Sequence, residues 1–171
     1  MIEIIRPNIH HASVLAELGA KSFIESHGHS ASEIDIQNYV SMNFNESVFK
    51  NELADTTHIY HLVLVDSIPA AYSKIRLNTA MPTNTDSQLC KMDRLYVLKE
   101  HYDKGLGKQL FDFNLNFAKA HDQKGFWLYV WRENQRALKF YDKQGFKNVG
   151  DTFFKISETH SNPNYFMLLT F

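Results

Sequence analysis

Apolar and polar positions follow two periods along this chain, and the switch between them marks out the elements. The apolar run Ile2–Ile5, stopped by Pro7, predicts a short strand. From about His10 to Ser26, positions Val14, Leu15, Leu18, Ser22 and Phe23 share one helical face, and Gly28 interrupts the pattern. Ser32 is placed to cap a second helix running to about Met42, with Ile34, Ile36, Tyr39 and Val40 apolar. A third short helix is predicted over Glu46–Ala54. The β-branched and aromatic run His58–Val65, the turn Asp66–Pro69 and the arm Ala70–Leu77 then predict a hairpin. Asn78–Gln88 reads as a loop and Leu89–Val97 as a strand. After a turn at His101–Gly105, a helix is predicted to about Asp122, with Leu106, Leu110, Phe113 and Phe117 as its buried stripe. Phe126–Trp131 predicts a strand, Asn134–Gln144 a helix ended by Gly145, and Phe146–Ile156 and Tyr165–Phe171 the last strands.

Strands that alternate with helices in the second half favour parallel pairing, and the hairpins favour antiparallel pairing elsewhere. The expectation is an α/β fold in one domain over residues 1–171. Its centre is a mixed, twisted sheet of about six to seven strands with helices on both faces. The last strand, with Phe166, Leu168 and Phe171, is expected to be exposed and able to pair across a homodimer.

Composition narrows the function classes. The 171 residues are 44% hydrophobic and 22% charged, a globular mix that excludes disordered and collagen-like chains. Thirteen Phe and eight Tyr predict an aromatic core and pocket. A net charge of −1 supplies no basic field for nucleic acid. A single cysteine, Cys90, excludes an internal disulfide framework and a Cys-based zinc cluster. No run of about 18 apolar residues is present to span a membrane. The first residues lack the basic and apolar regions of a signal peptide, so a cytoplasmic location is expected.

Two stretches carry candidate chemistry. Leu95-Tyr96-Val97 leads into Lys104-Gly105-Leu106-Gly107-Lys108, a strand followed by a glycine turn that opens a helix. Unpaired N–H groups and the helix dipole make such a turn an anion site, and Lys104 and Lys108 add charge. The plainer alternative is a strand–helix turn with two solvated lysines. The spacing is not that of a P-loop, and Leu110 stands where a dinucleotide fingerprint needs its third glycine. The second stretch is Trp127–Trp131 followed by Asn134, Ala137, Tyr141, Gly145 and Phe146. Asn134 and Tyr141 lie on one side of their helix, so the Tyr141 phenol is either a proton donor to a leaving thiolate or a satisfied core tyrosine.

Together these motifs resemble the GNAT family of N-acetyltransferases. Its central signature is a strand, then Gln/Arg-x-x-Gly-x-Gly/Ala, then a helix; the matching residues are Tyr102-Asp103-Lys104-Gly105-Leu106-Gly107. Its next signature, Asn-x-x-Ala-x-x-x-Tyr-x-x-x-Gly-Phe, is matched in register from Asn134 to Phe146. The match covers about Leu89 to Gly150. Within the family, Trp127-Leu128-Tyr129-Val130-Trp131-x-x-Asn134, Arg94–Leu98 and Phe23–His27 are similar to segments of the PaiA-like polyamine acetyltransferases.

The resemblance implies the family's fold and direct transfer of acetyl from acetyl-CoA, as co-substrate, to a primary amine, a polyamine such as spermidine or spermine being favoured. Alternatives are a peptide or protein N-terminal amine, or a non-catalytic acyl-CoA sensor. It implies that the Leu95–Val97 segment, Tyr96 included, bonds the pantetheine arm and thioester through backbone groups of Leu95 and Val97. Lys104, Gly105, Leu106, Gly107 and Lys108 hold the pyrophosphate, Asn134 contacts the pantetheine, and Tyr141 protonates the leaving sulfur. Asp93 stands where many relatives have a strand Glu, and alternation places it with Leu95 and Val97. It is a base acting through water, a binder of a cationic amine, or a structural partner of Arg94 or a lysine. Glu25, His27 and Tyr129 are the acceptor-pocket candidates. With Glu33, Asp35 and Asp93, Glu25 is a candidate wall for a polycation. His27 and His29 resemble a metal half-site without partners, so solvated imidazoles on a loop are expected and no metal. Tyr102, Asp103 and Tyr129 depart from the family pattern. Asp103 would repel a phosphate, and Tyr129 would narrow the cleft or reshape the acceptor pocket.

Overall fold

The computed structural model describes residues 1–171. Strand β1 (Ile2–Ile5) is followed by helices α1 (Ala12–His27), α2 (Glu33–Asn43) and α3 (Glu46–Ala54). Strands β2 (Ile59–Val65), β3 (Ile68–Arg76) and β4 (Leu89–Val97) come next, then α4 (Leu106–Ala120) and β5 (Gly125–Trp131). Helix α5 (Gln135–Lys143) and strands β6 (Lys147–Lys155) and β7 (Ser161–Thr170) complete the chain. All seven strands form one sheet in the order β1-β2-β3-β4-β5-β7-β6. Only β4 and β5 pair in parallel, joined by the α4 crossover.

Side-chain oxygens set the helix starts. Ser32 Oγ accepts the Asp35 N–H to cap α2, Asn45 Oδ1 accepts the Val48 N–H to cap α3, and Asn134 Oδ1 accepts the Ala137 N–H to cap α5. Helices α1–α3 cover one face, where Leu15, Leu18 and Phe23 pack against Tyr60, Leu62 and Tyr72. Helices α4 and α5 cover the other, where Leu106 and Leu110 meet Val63 and Ala71, and Phe111 and Tyr141 meet Ile75, Met92 and Leu128.

Three expectations are corrected. The buried stripe of α4 is Leu106, Leu110, Phe111, Asn114 and Ala118, whereas Phe113 is 40% exposed and lies over His61 with Phe117. Asn114 displaces the expected aromatic because its amide is fully used: it meets His61 Nδ1 at 2.9 Å, and its Nδ2 donates to Ser73 Oγ and Leu110 O. The last strand is not an exposed edge; β7 lies between β5 and β6, and Phe166 is buried. It also begins earlier, at Ser161. Pro163 is tolerated inside it because its nitrogen faces the β5 side, where β5 has ended and only the Arg132 N–H approaches, bonding the Pro163 carbonyl. Finally, β4 does not alternate strictly. Arg94 pairs with Lys74 but Met92 pairs with Ile75, so Asp93 is an extra residue in a β-bulge.

Candidate active site

Strands β4 and β5 pair only at Leu89–Gly125, Cys90–Phe126 and Lys91–Trp127. Beyond Lys91 they part, and the bulge at Asp93 is the first feature past the last shared rung. A cleft of about 710 Å³ opens between them. The Leu98 N–H bonds Ala70 O on β3 at 2.9 Å, which fixes the phase of the strand. Residues alternate, so the backbone groups of Tyr96 face β3 while those of Leu95 and Val97 face the gap. A strand that has lost its neighbour thus offers free N–H and C=O groups to a ligand.

The open end of the gap meets the turn before α4. Asp103 (φ 62°) and Gly105 (φ 77°) are both left-handed. The first intrahelical bond of α4 runs from Gln109 N to Gly105 O, so the preceding N–H groups are unpaired at the positive end of a helix. Gly107, Tyr102 and Asp103 line the cleft. Lys108 does not add a free charge, because its ammonium is held by Asp112 one turn on, at 2.5 Å. The sequence missed Arg136: its guanidinium lies 3.6 Å over the Tyr102 ring, and its Nη1 donates to Asp103 Oδ1 at 3.2 Å. That pair offsets the acidic side chain that Asp103 introduces beside the turn.

Tyr141 projects from α5 into the same gap. Its ring packs on Phe140 and Phe146, and burial pushes its phenol up, so it stays protonated. Its hydroxyl takes part in none of the side-chain hydrogen bonds. Asn134 spends its carbonyl on the α5 cap and keeps its amide NH₂ at the cleft wall.

On the α1–α3 side the lining is aromatic, with Phe23, Tyr96, Tyr129 and Trp131. Tyr96, expected among the cofactor residues, turns its ring into this half, against Tyr72 and His27. His27 is not a solvated loop imidazole. It closes α1, stacks on Phe23 at 4.9 Å and lies near Trp131. Burial, helped by His29, lowers its pKa to about 4, so the ring is neutral. Ser26 Oγ gives its hydrogen to Ser22 O and accepts from His27 Nδ1 at 2.7 Å, which leaves Nε2 as an acceptor. Glu25 lines the cleft, but its carboxylate accepts the Lys99 N–H at 2.8 Å.

Asp93 is also committed. Arg76 grips it through two bonds, at 2.7 and 3.0 Å, and Lys91 lies 3.0 Å away. Burial alone would raise its carboxyl, but Arg76 and Lys91 outweigh that and hold it below the usual carboxylate range. The bulge puts it on the α1–α3 face, opposite Leu95 and Val97, so the expected shared face is corrected. Its partners are a lysine and Arg76, while Arg94 turns to Tyr60 and Glu52. Glu33 is exposed, Asp35 bonds Ser32, and neither lines the cleft. No group of three or more His, Cys, Asp or Glu side chains is placed to hold a metal ion. No helix is long and apolar enough to cross a membrane.

A split parallel pair, a helix N-terminus at its mouth and a phenol inside it suit a thioester of a nucleotide. Comparisons with known proteins agree. The family model described as acetyltransferase (GNAT) family matches residues 20–146. An uncharacterized N-acetyltransferase of Lactobacillus delbrueckii subsp. lactis is 26% identical over 141 residues, 82% of each chain. An uncharacterized N-acetyltransferase of Mycobacterium bovis is 27% identical over 151 residues, 88% of this chain and 92% of its own. Among solved structures, the PaiA N-acetyltransferase of Thermoplasma acidophilum, in complex with coenzyme A, shares the fold with a TM-score of 0.83 at 22% identity, over 100% of this chain and 99% of that one. The chain therefore belongs to the acetyltransferase (GNAT) family, with acetyl-CoA as its co-substrate.

Proposed function

We propose that the enzyme transfers acetyl to a primary amine of a small molecule held on the α1–α3 side of the gap between β4 and β5. The observation that carries this reading is the unpartnered Tyr141 hydroxyl inside a gap whose other wall offers the free backbone of Leu95 and Val97. In this reading the pantetheine arm bonds that backbone and the Asn134 amide. The pyrophosphate is bound by N–H groups from Gly105 to Lys108, with Lys104 adding charge. An N–H of the Leu95–Val97 segment stabilises the negative charge that develops on the thioester oxygen. The neutral amine nitrogen attacks the thioester carbon; the C–N bond forms and the C–S bond breaks. Tyr141 gives its proton to the departing sulfur. The nitrogen loses one proton, so the products are an amide and a free thiol. Water in the gap carries that proton, since Asp93 is held by Arg76 and Lys91.

A polyamine acceptor is supported by the resemblance of Trp127–Asn134 to the PaiA-like enzymes, and by the fold shared with the PaiA protein. Against it stands the dispersal of Glu25, Glu33, Asp35 and Asp93 described above. We place the enzyme with the cellular acetyl-CoA pool in the cytoplasm; the unpaired buried thiol of Cys90 is consistent with a reducing compartment. The test is release of free thiol from acetyl-CoA with a panel of small primary amines, short peptides and spermidine. Saturable, amine-dependent release supports the reading. Acetylation of peptides alone would contradict the small-molecule acceptor.

A further inference from the structure

We infer that the acceptor half of the cleft contains an anion subsite formed by Lys91 and Arg94, and that the acceptor is a primary amine also carrying a carboxylate or phosphate. This rests on the acetyltransferase reading above and names the substrate class for that same site.

The α1–α3 face of the sheet carries a charge imbalance. On the α1–α3 face of the sheet, Glu52 is shared by Lys74, at 2.7 Å, and Arg94, at 3.7 Å. Asp93 is shared by Arg76, at 2.7 Å, and Lys91, at 3.0 Å. Four cations thus face two carboxylates, and two positive charges are left over. None of the six side chains is freely solvated; the most open, Arg76, is 32% exposed. Unbalanced charge is costly in such a place unless an anion joins it.

The surplus falls on the cleft. Lys74 and Arg76 hold their carboxylates closely and do not line the cavity, whereas Lys91 and Arg94 do. Arg94 is the loosest member, beyond hydrogen-bond distance of Glu52, with one Nη1 bond to Tyr60 Oη at 3.2 Å. Aromatic faces steady both cations without adding a counter-charge. Arg94 lies 4.8 Å from the Phe44 centroid, and Lys91 lies 5.0 and 4.9 Å from those of Trp127 and Tyr129. Tyr60 and Tyr72 supply no phenolate, because burial pushes both phenols up. The other carboxylates on the lining are engaged or distant in the fold: Glu25 with Lys99 N, Asp103 with Arg136 at the turn before α4, and Glu133 before α5.

The co-substrate's phosphates do not fill this need. Their turn follows Val97 at the open end of the gap, whereas Lys91 stands at the last paired rung. A guanidinium fork suits a carboxylate or phosphate and an ammonium adds a point charge. The aromatic lining suits an apolar body between that anion and the amine.

The test compares matched amines by thiol release from acetyl-CoA: phenylalanine with phenethylamine, and phosphoethanolamine with ethanolamine, with spermidine as a polycation. The expected result is a kcat/KM higher by roughly ten- to a hundredfold for the anionic member of at least one pair. Lys91→Met should shrink that ratio at least threefold, and it leaves Asp93 its Arg76 partner should Arg94→Met fail to fold. Equal or better use of the neutral amine in both pairs, or a preference for spermidine, overturns the subsite and leaves the transferase standing. If coenzyme A binds but no amine is acetylated, calorimetric titration of that complex with N-acetylphenylalanine against N-acetylphenethylamine reads the subsite directly, and equal affinities overturn it. Failure of coenzyme A to bind at all contradicts the transferase reading instead.

Discussion

Asp93 and Arg94 are neighbours in one strand, yet both side chains lie on the α1–α3 face of the sheet, because the bulge inserts Asp93 between the rungs Met92–Ile75 and Arg94–Lys74. One extra residue does two things. It bends β4 just past its last rung with β5, where the gap opens, and it gathers Arg76, Lys91, Asp93 and Arg94 along one wall.

The Glu52 carboxylate is the anchor of the other half of that wall, accepting from Lys74 and from the Tyr60 hydroxyl and facing Arg94. Glu52→Gln leaves two cations without a counter-charge. The expected loss of stability is about 2–4 kcal/mol by denaturant unfolding, below the fully buried case because Glu52 keeps some solvent contact. A loss within about 0.5 kcal/mol, typical of a surface site, would show that the network is slack.

Gly105 precedes α4 at φ 77°, where any side chain is strained. Gly105→Ala is expected to cost about 1–2 kcal/mol and to shift the turn that presents the helix N–H groups. Steady-state kinetics should show KM for acetyl-CoA rising with kcat little changed. A fall in kcat at constant KM would move this turn out of the binding role.

His27 gives a pH signature. Its ordinary pKa of 6.5 is lowered to about 4 in the fold. Between those values the unfolded chain takes up a proton that the native state resists. The contribution to stability is therefore complete above pH 6.5 and is lost as pH falls toward 4. Melting temperatures measured from pH 7 to 4 should fall more steeply for the native protein than for His27→Gln, in which His58 and His61, whose pKa values are also lowered, are unchanged. Parallel curves would contradict a half-buried, neutral His27.

Much of the frame was legible because it is local. The α3 span and the Ser32 and Asn134 caps follow from period and capping residues. What misled were residues whose partners lie far along the chain. Asn114 looks like a surface position until His61 and Ser73 supply its bonds. The Asp93 bulge cannot be seen in alternating polarity, so alternation put Asp93 on the face of Leu95 and Val97. Tyr165–Phe171 looked like an end strand because sequence order hides that β7 inserts between β5 and β6. Arg136 carried a signal that was available: it sits two residues past Asn134 in the first turn of α5, and faces the same turn that Asp103 makes acidic.

In the proposed mechanism Tyr141 is the acid inside the split between β4 and β5. Removing only its hydroxyl is the most direct test. For Tyr141→Phe, kcat with the best acceptor should fall by about a hundredfold or more, while calorimetric affinity for acetyl-CoA stays within about threefold of the native value. An unchanged kcat at unchanged affinity would contradict it and return Tyr141 to the core.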